Sequence, residues 1–388
     1  MATTQINPEQ AVRDRYSQAA AAREQELCCP VDYDPRYLEV IPAEILERDY
    51  GCGDPSKHLS PGETVLDLGS GGGKICYIAS QVVGPEGKVI GVDMNDEMLA
   101  LARKYRGAIG EKLGYHNVEL RKGRIQDLAL DVTKLAARLA SHPVRTVTDL
   151  AELESWKARE RRDNPMVPSA SVDVVVSNCV LNLVDPEAKS ELFREMHRVL
   201  KKGGRVVISD IVSDEDVPDH LQADPELWSG CISGAFREAG FLKAFEDAGF
   251  YGIEILARDE TPWQTVEGIE FRALTVRAFK GKEGPCLERN QAVIYKGPWR
   301  SVTDDDGHTL FRGERMAVCD KTFRIYGKVP YRESVELVEP HEEVPLAEAT
   351  AFNCRKDAVR HPRESKGLDY DVTETTDAPY CGPDGNCC

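Results

Sequence analysis

Between residues 61 and 126 the apolar positions switch repeatedly between two periods. ETVLDL (63–68) is a short apolar run with strand spacing, and the glycines of GSGGG follow it at once. KICYIASQVV (74–83) has helical spacing, KVIGVD (88–93) reads as a second strand, and NDEMLALARKYRGAIGEKLG (95–114) reads as a helix with Asn95 as its N-cap. VELRKGRIQDL (118–128) predicts a further strand and loop. Strands that alternate with helices in this way predict an α/β fold with a doubly wound parallel sheet.

The rhythm breaks over residues 127–170, where TVTDLAELESWKARERRDNPMVP (146–168) is charged, helix-forming and closed by prolines, as an inserted helical excursion would be. It resumes with the buried strand VDVVVS (172–177), the amphipathic helix PEAKSELFREMHRVLKKGG (186–204) and the strand RVVISDIV (205–212). Residues 213–285 offer a Trp-Ser-Gly-Cys turn, the helix FLKAFEDAGF, and strands at YGIEILARD and FRALTVRAF. They are expected to close the sheet and to carry a substrate-facing insert.

The flanks differ. Residues 1–60 predict a polar, Ala-rich helix, then Cys28-Cys29-Pro30, then a helical stretch IPAEILERDY stopped by Gly51-Cys52-Gly53. Residues 286–388 predict a small β unit around QAVIYKG and TLFRGERMAVC. Beyond about 335 the chain is acid- and Pro-rich and is expected to be extended or disordered. The organisation read from the sequence is therefore 1–60, 61–212, 213–285 and 286–388.

Composition narrows the chemistry. A net charge of −17 over 388 residues repels a phosphate backbone and argues against nucleic-acid partners. No apolar run reaches membrane-spanning length, and the polar N-terminus lacks a signal-peptide core, so a cytoplasmic protein is expected. The sequence leaves the oligomeric state open, with a monomer the favoured reading. Twelve cysteines in so long a chain are expected to be mostly free thiols in a reducing compartment.

The Gly-rich turn is the main cofactor signal. Asp67 precedes Gly69-Ser70-Gly71-Gly72-Gly73, and Asp93 ends the next strand, 20 positions after Gly73. Glycines between a strand and a helix let backbone approach a ligand, and the second acid suits two ribose hydroxyls. A dinucleotide needs a pyrophosphate cradle, usually GxGxxG. The spacing here differs, and an acid at position 67 suits the cationic end of S-adenosylmethionine better. Both cofactors, and a purely structural turn, fit the motif. Met94 is placed to cover an adenine face, with Ile125, Gln126 and Asp127 at its edge; ordinary core is the alternative for Ile125.

Three thiols stand out: Cys52 in YGCG, Cys179 in SNCVLNL and Cys231 in WSGCISG. Ligands of open α/β sheets bind outside the carboxyl ends of the strands, so Cys179 is expected at the crevice. Cys76, inside a helix, reads as core filler. The gaps between Cys52, Cys179 and Cys231 are long and unpaired, unlike zinc-ligand spacing, and soft thiolates suit a soft acceptor such as trivalent arsenic. The terminal Cys381, Cys387 and Cys388 read as a thiol cluster without a fixed role or as an arsenic scavenger. Cys286, Cys319 and Cys354 carry weaker signals still.

YGCG, DLGSGGG, SNCVLNL and WSGCISGA, in this order across about residues 25–285, resemble the arsenite S-adenosylmethionine methyltransferases. The resemblance implies a Rossmann-like class I methyltransferase sheet with a substrate-binding insert and a small C-terminal β-containing domain. It implies that Cys179 and Cys231 bind As(III) with Cys52 joining them, and that Cys28 or Cys29 is the relay thiol that pairs with Cys52. It also implies that Tyr50 lies near the methyl donor, and that glutathione or thioredoxin is the reductant. Asn178 either touches the cofactor or turns the chain. Two features depart from the family: the insert at 127–170 is long, and the adjacent Cys28 and Cys29 blur the relay. A different small-molecule methyltransferase and a thiol-rich metalloid-sequestering protein are the competing readings.

Overall fold

A computed structural model describes residues 8–21, 24, 31–355 and 357–366. The chain divides into two compact units, Met1–Gly281 and Lys282–Cys388.

The first unit is built on one sheet. Its elements run α1 (Pro8–Ala21), α2 (Pro35–Leu38), α3 (Ala43–Leu46), β1 (Thr64–Leu68), α4 (Lys74–Val83), β2 (Lys88–Asp93), α5 (Asp96–Leu113) and β3 (Val118–Lys122). The insert forms α6 (Val132–Ser141) and α7 (Val147–Asp163), before β4 (Val172–Asn178), α8 (Pro186–Val199) and β5 (Leu200–Ser213). Short helices α9 (Asp219–Gln222) and α10 (Pro225–Ser229) precede β6 (Phe236–Arg237), α11 (Glu238–Asp247), β7 (Tyr251–Arg258), β8 (Gln264–Val266) and β9 (Ile269–Phe279). The strand order is β3-β2-β1-β4-β5-β9-β7, with β6 on β5 and β8 on β9. Strands β1 to β5 pair in parallel, whereas β9 runs antiparallel to β5 and β7. The order reverses between β1 and β4, which opens a crevice at their carboxyl ends.

Burial follows the strand period over the centre of β4: Val174 and Val176 enter one core and Val175 the opposite one, while an irregularity between Val172 and Val174 puts Val172 with Val175, all four fully buried. This two-sided burial explains why β4 reads as an unbroken apolar run. Asn95 caps α5 by accepting from the Met98 amide at 3.0 Å, as its sequence predicts. Helix α8 is shorter than its pattern suggests. It stops at Val199, and Leu200 to Gly204 already belong to β5, because Leu200 pairs with Val172 and Gly203 donates to the Lys280 carbonyl.

The second unit holds β10 (Leu287–Glu288), β11 (Ala292–Tyr295), β12 (Ser301–Thr303), β13 (Thr309–Phe311), β14 (Arg315–Ala317), α12 (Asp320–Tyr326), β15 (Val335–Val338), β16 (Thr350–Ala351) and α13 (Pro362–Lys366). Strands β14-β11-β15 form one sheet and β10 pairs with β16. The expectation of an extended or disordered segment beyond 335 fails at β15, β16 and α13. Val335 is buried in the unit's core, and β15 gains a full backbone ladder against β11, which offsets the poor apolar content of the segment.

Candidate functional site

A cavity of about 420 Å³ opens at the carboxyl ends of β1, β2 and β4. Its floor is the turn after β1. Gly69 has φ +68°, and a Cβ there would stand 2.4 Å from Val180, so a side chain is excluded on both counts. Asp93, at the end of β2, accepts from the Gly71 amide at 2.8 Å and the Asn95 amide at 2.7 Å, which fixes the turn and the start of α5 together. Burial pushes the Asp93 carboxyl above its usual range against these backbone donors. Ser70 Oγ is buried and has no hydrogen-bond partner among the described residues. A buried unpartnered hydroxyl on a Gly-rich turn fits a polar ligand.

Asp67, Asp49 and Asp93 all line the cavity. Asp67 is 2% exposed, and burial, reinforced by the charges of Asp93 and Asp49, raises its carboxyl to about 7 against the hydrogen bond from Cys76. That thiol donates to Asp67 Oδ2 at 3.2 Å, so Cys76 is more than filler: it supports the cavity floor. Met94, Ile125, Gln126, Tyr50 and Asn178 also reach the cavity. Two expectations shift. Gly72 lines the cavity where Gly73 does not; Gly73 is the left-handed N-cap of α4. Asp127 turns away to a bidentate ion pair with Arg161 of the insert.

Helix α1 roofs the cavity with Val12, Arg13 and Tyr16. It is tied to the start of α5 by Asn95 Nδ2 donating to Ser17 Oγ at 3.0 Å, and to α10 by Arg15 donating to the Glu226 carbonyl and to Ser229 Oγ. Tyr50 donates to the Ala19 carbonyl at 3.0 Å, and its ring meets Tyr16 edge-on.

The three singled-out thiols converge. Cys52, Cys179 and Cys231 share one cluster with Ile211, Val217 and Phe271. Cys52 and Cys179 are joined by a disulfide across 127 residues, and Cys231 donates to the Cys179 carbonyl at 3.4 Å. The resemblance pairs Cys52 with Cys28 or Cys29; in the structure its partner is Cys179, and Cys28 and Cys29 lie outside the described residues, as do Cys381, Cys387 and Cys388. All three thiols are buried: exposure is 7% for Cys52, 4% for Cys179 and 5% for Cys231, in a cluster with Val217, Leu221 and Ile232. Cys179 alone of the three lines the cavity. Tyr16 Oη lies 4.0 Å from Cys231 Sγ, and burial followed by that thiol's charge raises its phenol.

Cys179 has φ +59° and Cys231 φ +64°, a conformation that side chains rarely adopt. Three polar residues hold the thiol turns, Asp210 and Asn182 buried and Asn178 partly so. Asp210 Oδ2 accepts from Leu181 and Val180, directly after Cys179, at 2.8 and 3.2 Å. Asn182 Nδ2 donates to the carbonyls of Ile211 at 2.6 Å and Cys231 at 3.2 Å. Asn178 Oδ1 accepts from the amides of Cys52 and Gly53, and its Nδ2 donates to the Gly53 carbonyl. Gly51 has to be glycine here, since a Cβ would lie 2.1 Å from Asn178 Nδ2. Asn178 therefore both lines the cavity and clamps the Cys52 loop.

Sequence reading missed Asn182, Asp210 and Lys189. Lys189 is 9% exposed, donates to the Gly234 carbonyl and lies 4.1 Å from the Phe236 ring centroid. Burial lowers its ammonium to about 8, opposed by the charges of Asp210 and Cys231. Burial likewise raises Asp210 to about 6. The available signal was the polar pair Ser209-Asp210 ending an apolar run, and Asn182 between two leucines.

A family model described as a methyltransferase domain matches residues 59–140 and 148–255, and a domain-of-unknown-function model matches 282–370. The chain is 32% identical over 314 residues to an arsenite methyltransferase of Aquipseudomonas alcaligenes, covering 77% of this chain and 80% of that protein. It is 27% identical over 368 residues to the human arsenite methyltransferase, covering 90% and 86%. Among solved structures, an arsenic(III) S-adenosylmethionine methyltransferase from Chlamydomonas reinhardtii aligns with TM-score 0.54 and 25% identity, over 83% of this chain and 99% of that one. The shared sheet, the Gly-rich turn with its acid and the extent of these matches place the chain in the arsenite methyltransferase family, as an enzyme that takes its methyl group from S-adenosylmethionine.

Proposed function

We propose that the chain methylates arsenite and then methylarsenite while Cys179 and Cys231, joined by Cys52, hold the arsenic as thiolates. The observation that carries this reading is the meeting of three sequence-distant thiols against the cavity floored by the Gly-rich turn, with Cys179 facing into it.

S-adenosylmethionine supplies an electrophilic methyl group when bound. The residues that fit it are the Gly69–Gly72 turn with its unpartnered Ser70 hydroxyl, Asp93 for ribose hydroxyls, Asp67 for the cationic end, and Met94, Ile125 and Gln126 for the base. Tyr50 and α1 exclude water from above.

The arsenic substrate, bound through As–S bonds, keeps a lone pair that attacks the methyl carbon. The donor, when bound, would keep the electrons of its carbon–sulfur bond. No proton leaves the nucleophile, so no general base is required, and fixed geometry supplies roughly 7–11 kcal/mol of the barrier. Arsenic rises formally from +3 to +5. Two thiolates return two electrons by forming a disulfide, a step that the Cys52–Cys179 pairing supports. Thiol exchange then passes the disulfide to Cys28 or Cys29, and glutathione or thioredoxin resets it. This chemistry serves arsenic detoxification in the cytoplasm; no helix among the described residues is long and apolar enough to cross a membrane.

The deciding experiment incubates the protein with arsenite, S-adenosylmethionine and a thiol reductant, then speciates the arsenic. Methylated arsenicals that vanish with Cys231→Ser are expected. Unchanged methylation in that variant rejects the thiolate assignment.

A further inference from the structure

The second unit contains a thiol pair outside this chemistry. Cys286 sits just before β10, and Cys319 caps α12, which packs on β10. Two bonds lace these segments on either side of the thiols. Lys321 Nζ donates to the Gly284 carbonyl at 3.2 Å, and Arg289 Nη1 donates to Asp320 Oδ1 at 2.7 Å in a nearly buried ion pair. Arg289 is anchored further by the Val344 carbonyl at 2.6 Å. These bonds and the packing of α12 on β10 bring the Cys286 segment against the Cys319 cap. Neither is in a disulfide; Cys319 is 2% exposed and Cys286 is partly open to solvent.

We propose that Cys286 and Cys319 form a second dithiol site, within the C-terminal unit, that takes a trivalent arsenical. The binding step exchanges two As–O bonds for two As–S bonds. Each As–OH takes a thiol proton and leaves as water, so arsenic stays at +3 and no oxidant or reductant is needed. Soft thiolates select a soft acceptor, and two of them held together chelate it. Thr322 Oγ1, 3.3 Å from Cys319 Sγ, can donate to that sulfur once its proton is gone. Burial raises the Cys319 thiol above its usual range, which makes that sulfur a poor nucleophile until a thiophile displaces its proton. The proposal uses only the family's substrate chemistry and is independent of how Cys52, Cys179 and Cys231 act.

The test uses the full chain with Cys28, Cys29, Cys52, Cys179, Cys231, Cys381, Cys387 and Cys388 changed to Ser, reduced and mixed with phenylarsine oxide. Native mass spectrometry should show one phenylarsenic adduct. Cys286→Ser or Cys319→Ser added to this chain should remove it, with affinity down roughly a hundredfold or more as chelation becomes single attachment. Cys354→Ser should leave it in place. Ser at 319 still caps α12, which protects the fold. No adduct, or one that survives Cys286→Ser, overturns the proposal. Should the multiply substituted chain fail to fold by circular dichroism, the unmodified chain gives the answer through alkylation mapping. Phenylarsine oxide should protect the Cys286 and Cys319 peptides together, and unprotected alkylation of either rejects the site. Methylation of arsenite by the unmodified chain is read in parallel, so loss of this site and loss of the proposed mechanism are separate results.

Discussion

The two sides of the candidate cavity are made in opposite ways. The side proposed for the methyl donor is a contiguous strand, turn and helix, and Asp93 arrives on the adjacent strand and bonds to Gly71 from 22 residues away. The thiol side draws Cys52, Cys179 and Cys231 from separate loops, with two of them on left-handed backbone held by side chains of other segments. A local motif can tolerate change elsewhere in the chain. A site assembled from distant turns depends on every polar tie between them, because a displacement near 1 Å can cost about a hundredfold in rate.

Separating the two sides is the strongest way to break that comparison. Cys179→Ser and Cys231→Ser are expected to reduce arsenite methylation roughly a thousandfold or more, since positioning is lost. S-adenosylmethionine binding by calorimetry should be nearly unchanged; matching losses of both would mean that the sides are one unit.

The converse is Asp93→Ala. It removes a carboxylate that accepts from the Gly71 and Asn95 amides, a loss of about 1.5–3 kcal/mol for charged hydrogen bonds. Donor affinity should fall roughly tenfold to a hundredfold. Arsenite quenching of Trp228 fluorescence, three residues from Cys231, should persist. Loss of quenching would couple the sides.

Asn182→Ala tests the ties themselves. Nothing else among the described residues links the Ile211 and Cys231 carbonyls through one side chain, so about 1–3 kcal/mol should be lost from stability. Thermal denaturation reads that loss. Arsenite quenching should weaken while donor affinity holds, which a merely structural role would not produce.

The smallest effect concerns pH. Asp67 titrates at about 7 because it is buried beside Asp93 and Asp49. A cationic donor favours the ionised carboxylate, so binding releases a proton. Affinity should therefore fall as pH drops below about 7, by up to roughly tenfold per unit. Calorimetry in buffers of different ionisation enthalpy detects the proton. In Asp67→Asn the pH dependence should disappear; persistence would move it to another group.

Much of the cofactor side was legible. Gly69, Gly71, Asp67 and Asp93 are set by a strand–turn–helix pattern in which neighbours in sequence are neighbours in space. The thiol side was legible only as residue types in suggestive turns. Asn178 shows why: the sequence allowed a cofactor contact or a chain reversal, and the fold gives it the amides of a loop 125 and 126 residues away. Asp210 and Asn182 left almost no trace, because a carboxylate or amide bonding to distant backbone carries no spacing. Residues 335–366 misled for a related reason. Their composition is poor, and their order comes from ladders with β10 and β11.

By itself, then, the sequence determined the parallel sheet, the Gly-rich turn with its two acids, and the kinds of atom available for chemistry. Periodicity and local backbone preference act over a few residues and can be read directly. Only the tertiary structure decided that Cys52 joins Cys179, that Cys231 lies against Tyr16 of α1, and that the Cys286 segment is laced to the Cys319 cap of α12. Those meetings depend on strand order and on buried hydrogen bonds between segments far apart in the chain, which become defined when the layers pack.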